Sequence, residues 1–372
     1  MAGRDELIER AAIALDRIRA GNSARSFILH GLRGVGKTVL LNRIRLDAEA
    51  RGIVSVRIEA PEERSLPSLL APALRGTLLR LNRGDAAKAG AAKALRALAG
   101  FAKALKVKYG DLEFGLEIDP EEGLADSGHL DNDLTDLLAT IGVAAAERET
   151  VVVLFIDELQ YVPEDQLASL ITALHSANQD QLPITMVAAG LPQLVGRTGR
   201  AKSYAERLFE FVSIDRLDDE AARAAVIIPA AKEGIDYAPG AVMEILRQTR
   251  GYPYFLQEWG KHCWAVADKS PIEAIDAENA TVDALAELDA GFFRVRFDRL
   301  TPTERRYMRA MAELGSGPHR SGDIADVLGQ KVTSVGPVRS ALIAKGMVYG
   351  PAHGDTAFTV PLFDGFMKRI MP

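Results

Sequence analysis

The chain has 372 residues, 48% apolar and 26% charged, which suits two or three packed units and excludes wholesale disorder. No run approaches the roughly 18 uninterrupted apolar residues of a membrane span, and a single cysteine, Cys263, excludes an intrachain disulfide framework or a multi-cysteine zinc site. A net charge of −6 argues against nucleic-acid binding over the whole surface, and a charged start without an apolar leader gives the expectation of a cytoplasmic protein.

Residues 7–20 place Leu7, Ile8, Ala11, Ala12, Leu15 and Ile18 at helical spacing, with Gly21-Asn22 as a stop. A short apolar strand over 26–30 runs directly into a glycine-rich segment, and a helix follows over 39–50. A second strand (53–58) and a helix near 68–81 come next. From 84 to about 108 the composition shifts to Ala, Gly and Lys. The lysines of 88–108 either solubilise an Ala-rich helix or belong to an insertion that docks a partner or faces DNA. Val107, Tyr109, Leu112, Phe114, Leu116 and Ile118 have the alternation of a half-buried strand or hairpin, and the acidic stretch 119–136 reads as a solvated loop. Residues 84–130 are therefore expected to be an insertion. A helix over 134–146, an apolar strand over 150–156, a helix over 164–177 and a strand over 184–189 continue the alternation. The expected architecture is α/β, a parallel sheet with helices on both sides. After Asp215 the strands stop, and 218–232, 239–249 and 253–268 read as helices of a second unit, with Cys263-Trp264 in its core. Thr301-Pro-Thr-Glu is a helix start, Thr as cap and Pro at the first position, so a third unit is expected from 298.

The glycine-rich segment is Gly31, Leu32, Arg33, Gly34, Val35, Gly36, Lys37 and Thr38, the Walker A pattern, continued by Val39. Its glycines let consecutive backbone N–H groups curl around phosphate oxygens, and the helix that starts there adds its positive dipole end. Lys37 is expected to reach the β/γ-phosphates of ATP, and the Thr38 hydroxyl to ligand Mg²⁺. The matching Walker B is 151–158: Asp157 ends a buried strand as the second Mg²⁺ residue, and Glu158 is placed to polarise the attacking water. Catalysis would rest on Lys37, Mg²⁺ and Glu158.

Four further stretches resemble the AAA+ ATPases of the origin-recognition/initiator type, which border on the STAND signalling ATPases. Gly3-Arg4-Asp5-Glu6-Leu7 is similar to the box that closes over adenine in that family, which makes Arg4 a nucleotide-binding residue. Asp157-Glu-Leu-Gln160 has the family's Walker B form, and Ala188-Ala-Gly190-Leu-Pro192 stands where its fourth core strand ends. Gly251-Tyr-Pro253 resembles the lid motif whose proline, here Pro253, packs near the nucleotide. The resemblance implies a P-loop (AAA+) core over 1–215, a helical lid over 216–297 and ATP/ADP as ligands. A polar sensor is missing at Ala188-Ala189. A second sensor arginine would be Arg250 or Arg247. Arg207, just before the fifth strand, is either the arginine that completes a neighbouring subunit's site in a nucleotide-dependent homo-oligomer or a surface arginine; Arg197 and Arg200 are alternatives.

Residues 298–372 read as three helices (302–314, 321–328, 333–345) and a two-stranded wing (347–349 and 357–360), with Pro337 in the third helix's first turn. The pattern is similar to a winged helix, whose third helix enters the major groove. From 298 on, ten basic against seven acidic side chains give +3, which leaves −9 for the rest. Lys331, Thr333, Ser334, Arg339 and Lys345 are the expected duplex-DNA contacts, with His353 at the wing tip. The competing expectation is a STAND-like switch that hydrolyses slowly and engages a protein through this unit.

Overall fold

Strand and helix alternate up to Ser213: α1 (Asp5–Arg19), β1 (Ser26–His30), α2 (Lys37–Ala50), β2 (Val54–Glu59), α3 (Leu66–Leu81), α4 (Ala89–Ala104), β3 (Lys108–Tyr109), β4 (Leu112–Glu113), α5 (Leu130–Glu147), β5 (Val152–Asp157), α6 (Glu164–Gln179), β6 (Ile184–Gly190), α7 (Leu194–Ala201), α8 (Ala205–Leu208) and β7 (Phe209–Ser213). This computed structural model describes residues 2–62, 64–82, 89–109, 112–113 and 118–372. Five strands form one parallel sheet in the order β2-β5-β6-β1-β7. Strand periodicity divides its side chains between two cores. Val152, Leu154 and Ile156 face the cluster built with α3 to α6, while Val151, Val153 and Phe155 face the one built with α1 and α2. That is why this segment is a continuous apolar run.

Two expectations for the middle of this unit change. Residues of α4 such as Ala94, Leu98 and Phe101 are fully buried in the main core, so the proposed insertion contributes a packed helix, with Lys93, Lys103 and Lys106 left on its exposed side. Phe114 and Leu116 of the expected hairpin, and Lys88, lie outside the described residues; β3 and β4 do pair antiparallel. The acidic stretch is not all loop. Asp131 and Asp133 start α5, and Asp133, 0% exposed, accepts hydrogen bonds from Ser127 N (2.8 Å), Ser127 Oγ (2.7 Å) and Gly128 N (2.9 Å). A carboxylate that caps backbone donors is satisfied inside the fold.

The lid holds α9 (Asp219–Lys232), α10 (Pro239–Thr249), α11 (Pro253–Val266), α12 (Ala274–Leu288), a π-helical turn over Asp289–Phe293 and α13 (Arg294–Asp298). Cys263 faces the core and its thiol is pushed up to about 12 by burial, but Trp264 is 46% exposed. Neighbours on a helix point about 100° apart, so the pair divides between core and solvent. The last unit is α14 (Pro302–Leu314), β8 (His319–Arg320), α15 (Ser321–Leu328), α16 (Val332–Ala344), β9 (Val348–Tyr349), β10 (Asp355–Phe358) and α17 (Phe363–Ile370). The expected Thr301 cap is there, reciprocated by Glu304. The sheet has three strands, β8-β10-β9, rather than two. Pro337 stands inside α16, beyond its first turn. The fold class is thus α/β: a P-loop sheet, a helical lid and a C-terminal winged-helix unit.

Lid and C-terminal unit share one hydrophobic core, from Leu217 to Met367. Its spine is aromatic: Phe255 meets Phe293, which stacks on Phe366 at 5.3 Å and meets Phe363, itself against Phe358 of β10. That core includes Phe297 and Leu300, on either side of residue 298. Among the described residues, no helix is long and apolar enough to cross a membrane.

Candidate functional site

Backbone geometry explains the glycines of the loop between β1 and α2. Gly34 (φ 79°) and Gly36 (φ 88°) are left-handed, a region that side chains disfavour. A Cβ on Gly31 would stand 2.0 Å from the Ile214 carbonyl oxygen. Lys37, 8% exposed, folds back so that Nζ donates to the carbonyls of Gly31 (2.9 Å) and Leu32 (2.8 Å). Burial lowers its pKa to about 8, Glu158 and Asp157 oppose the shift, and Arg33 adds to it. Val35 is buried under the loop.

Asp157 ends β5, and its Oδ1 accepts from Glu158 N (2.9 Å). Glu158 adopts φ 54°, a left-handed backbone that costs energy in a non-glycine residue and concentrates at functional sites. Two groups hold its side chain: Gln160 Nε2 donates to it and Arg33 Nη1 lies 3.8 Å from Oε1, while Arg33 Nη2 in turn donates to Tyr161 OH (2.7 Å). Gln160 Oε1 also accepts from Leu191 N (3.0 Å), just past β6. At this strand end Ala188 and Ala189 are buried and apolar, and Gln160 brings a polar side chain to it. Thr38, Asp157 and Glu158 line a recess of about 130 Å³ together with Glu59. Hydroxyl and carboxylate oxygens are the hard donors that Mg²⁺ takes.

A cavity of about 600 Å³ runs from this loop under the lid. Arg4, Val39, Leu217 and Ala225 line it, as do Pro253, Tyr254, Phe292 and Arg296. The Arg4 guanidinium donates to the Asp215 carbonyl, and Gly3 is closed in by Ala221 of α9. Two backbone bonds tie other units to the loop. Tyr254 N, at the start of α11, donates to Gly34 O (3.0 Å), and Arg33 N donates to Thr359 O (2.8 Å) just past β10. Arg299 also pairs with Glu62 at 2.6 Å and holds that carboxyl below its usual range. The phosphate loop therefore touches the lid and the wing at once.

The remaining sequence candidates are dispersed. Arg207 is exposed on α8 just before β7. Arg197 donates to the Gln160 and Val162 carbonyls, and Arg200 pairs with Glu164 at 3.2 Å, so both serve local structure. Arg247 pairs with Glu244, and Arg250 is exposed in the left-handed cap of α10; neither lines the cavity. Arg296 of α13 does line it, beside Arg4 and Arg33, and sequence reasoning missed it. Of the expected DNA contacts, Lys331, Thr333 and Ser334 are exposed at the start of α16. Arg339 instead holds the wing, donating to Thr356 Oγ1 (2.8 Å) and Asp355 O (2.7 Å). Lys345 is bonded to Glu304 (2.7 Å) and Arg299 O (3.0 Å). A half-buried cation beside a buried carboxylate finds its partner inside the fold, which position on a helix cannot reveal.

Comparison with known proteins gives two family matches. A model described as AAA ATPase domain matches residues 1–187, and one described as Domain of unknown function (DUF8462) matches 290–367. No curated protein matches the chain. Among solved structures it is similar to the Thermotoga maritima RuvB Holliday junction branch migration motor (15% identity, 96% of this chain and 92% of that chain, TM-score 0.46). It is also similar to Aeropyrum pernix Orc1 in complex with DNA (15%, 99% and 93%, 0.47) and to Cdc6p from Pyrobaculum aerophilum (15%, 100% and 95%, 0.45).

Proposed function

The chain belongs to the AAA ATPase domain family, and from that premise we propose that it is a nucleotide-controlled switch in which ATP binding and hydrolysis set the pose of the lid and C-terminal unit. In this reading the N–H groups of 33–39 cradle the phosphates, Lys37 exchanges its loop carbonyls for β/γ-phosphate oxygens, and Arg4 and Pro253 border the rest of the nucleotide. Thr38 and Asp157 would hold Mg²⁺, which when bound neutralises charge on the phosphate oxygens. Glu158 orients the attacking water and accepts its proton, while Gln160 and Arg33 position that carboxylate. The observation that carries the switch is the pair of backbone bonds, Tyr254 N to Gly34 O and Arg33 N to Thr359 O. A loop rearranging around phosphate cannot leave both unchanged.

Glu158→Gln tests it. The variant should bind ATP as tightly as the wild type and lose phosphate release by roughly a hundredfold or more. In that stalled protein, amide exchange near Arg33 and Thr359 should differ between ADP and ATP. An unchanged hydrolysis rate sinks the role of Glu158, and identical exchange in both nucleotides sinks the switch.

Duplex DNA as the partner is a second reading, supported by Lys331, Thr333 and Ser334 standing exposed at the start of α16 in a unit of charge +3. Its competitor is a protein partner on the same face.

A further inference from the structure

Glu258 and His262 stand one turn apart on α11, and Glu287 lies beside them in the last turn of α12. A spacing of four residues puts the first two on one helix face. The two helices pack closely because α12 meets α11 with alanines and with Thr281, which accepts from Trp259 Nε1 (2.9 Å). Among the described residues this brings an imidazole nitrogen and two carboxylate oxygens within 4.8 Å of one another.

His262 Nε2 is the atom left without a partner. Its side chain is 12% exposed and the nitrogen itself is closed to solvent, yet it makes no hydrogen bond. Glu287 Oε2 lies only 3.1 Å away, so the distance suffices and the direction is at fault. A buried polar atom without a hydrogen bond is uncommon in a native fold and costs energy. Two donors held by one tetrahedral zinc ion at ~2.0–2.1 Å stand about 3.3 Å apart without pointing at each other, which is the relation of this nitrogen to this oxygen. Glu258 closes the remaining gap by turning inward on its own torsions. The cluster already attracts a cation: Lys261 Nζ lies 2.6 Å from Glu287 Oε1 and 3.6 Å from Glu258 Oε2. That lysine holds the Glu287 carboxyl below its usual range, and being 54% exposed it can swing away.

We propose that Glu258, His262 and Glu287 form a binding site in the lid for a divalent transition-metal cation of the zinc class, with water as the fourth ligand. An imidazole ligand selects such an ion over Mg²⁺, which takes oxygen ligands. The site is separate from the recess at Thr38 and Asp157 and does not depend on the ATP-binding reading. The ion joins the last turn of α12 to α11, whose Tyr254 is bonded to Gly34 of the phosphate loop, and braces the π-helical turn that follows Leu288.

Zn²⁺ should be titrated calorimetrically into the full chain, stripped with a chelator and kept nucleotide-free in excess Mg²⁺. It should bind at one equivalent and raise the melting temperature. His262→Gln and Glu287→Gln should each weaken this binding about tenfold or more, whereas Asp157→Asn should keep it. One equivalent of Co²⁺ should give the visible absorption of a tetrahedral ion, and His262→Gln should lose it. Lys261→Met should tighten Zn²⁺ by about threefold or more, because it removes the competing ammonium. Such a gain of affinity cannot come from misfolding. Zn²⁺ binding that survives in His262→Gln, or that disappears in Asp157→Asn instead, overturns the proposal, as does the absence of saturable binding by the parent chain.

Discussion

Lys37 is a residue whose chemistry depends strongly on its surroundings. Its folded pKa of about 8 lies below the ordinary 10.5 because burial disfavours the charge. The folded chain therefore holds fewer protons than the unfolded one between those values. Without nucleotide, stability should rise with pH through that window, and below pH 8 the cost of the buried ammonium is fully present. Phosphate needs the charged form, so ATP affinity should be level below about pH 8 and fall by up to about tenfold per unit above it. Calorimetric titration from pH 7 to 9.5 checks this, and a flat affinity would mean an ordinary lysine. Lys37, Thr38, Asp157 and Glu158 were legible in sequence because their neighbours in space are their neighbours along one strand and one loop. Arg296 was not, since its position depends on packing between segments more than 250 residues apart.

Among the elements that sequence reading passed over is α12. Its core face is Ala277, Ala280, Thr281 and Ala284, ending in Leu288. The spacing is helical, but alanine gives it little apolar contrast. Trp259 donates to Thr281 Oγ1 (2.9 Å), and this close packing requires the small residues. The π-turn after it and α17 at the end were missed likewise, and both serve the aromatic spine. Phe293, fully buried against Phe255, Phe363 and Phe366, joins the lid to the C-terminal unit. Phe293→Ala should cost about 3–5 kcal/mol, read from denaturant midpoints. Because the core is shared, amide exchange should rise in α11 and α17 together. Faster exchange confined to one of them would mark a boundary near 298.

At the scale of the whole molecule, charge and core divide the chain differently. Charge separates +3 from residue 298 onward from −9 before it, whereas packing joins 217–367 into one body beside the sheet. A DNA partner would have to use what that body leaves exposed. Full-length protein should then bind duplex DNA with a salt dependence that Lys331→Ala lowers by about one ion. Arg339→Ala and Lys345→Ala should instead lower the melting temperature, because these side chains hold the wing and Glu304. Binding that ignores both salt and Lys331 would turn the face over to a protein partner. By itself, the sequence determined the α/β sheet, the phosphate loop and its acidic partner strand, because period, glycine placement and strand-end carboxylates are local signals. Only the tertiary structure decided that wing and lid both touch the loop, that Arg339 and Lys345 are spent internally, and that Arg296 enters the cavity. Those outcomes follow from which long-range surfaces bury each other, and no local pattern encodes that choice.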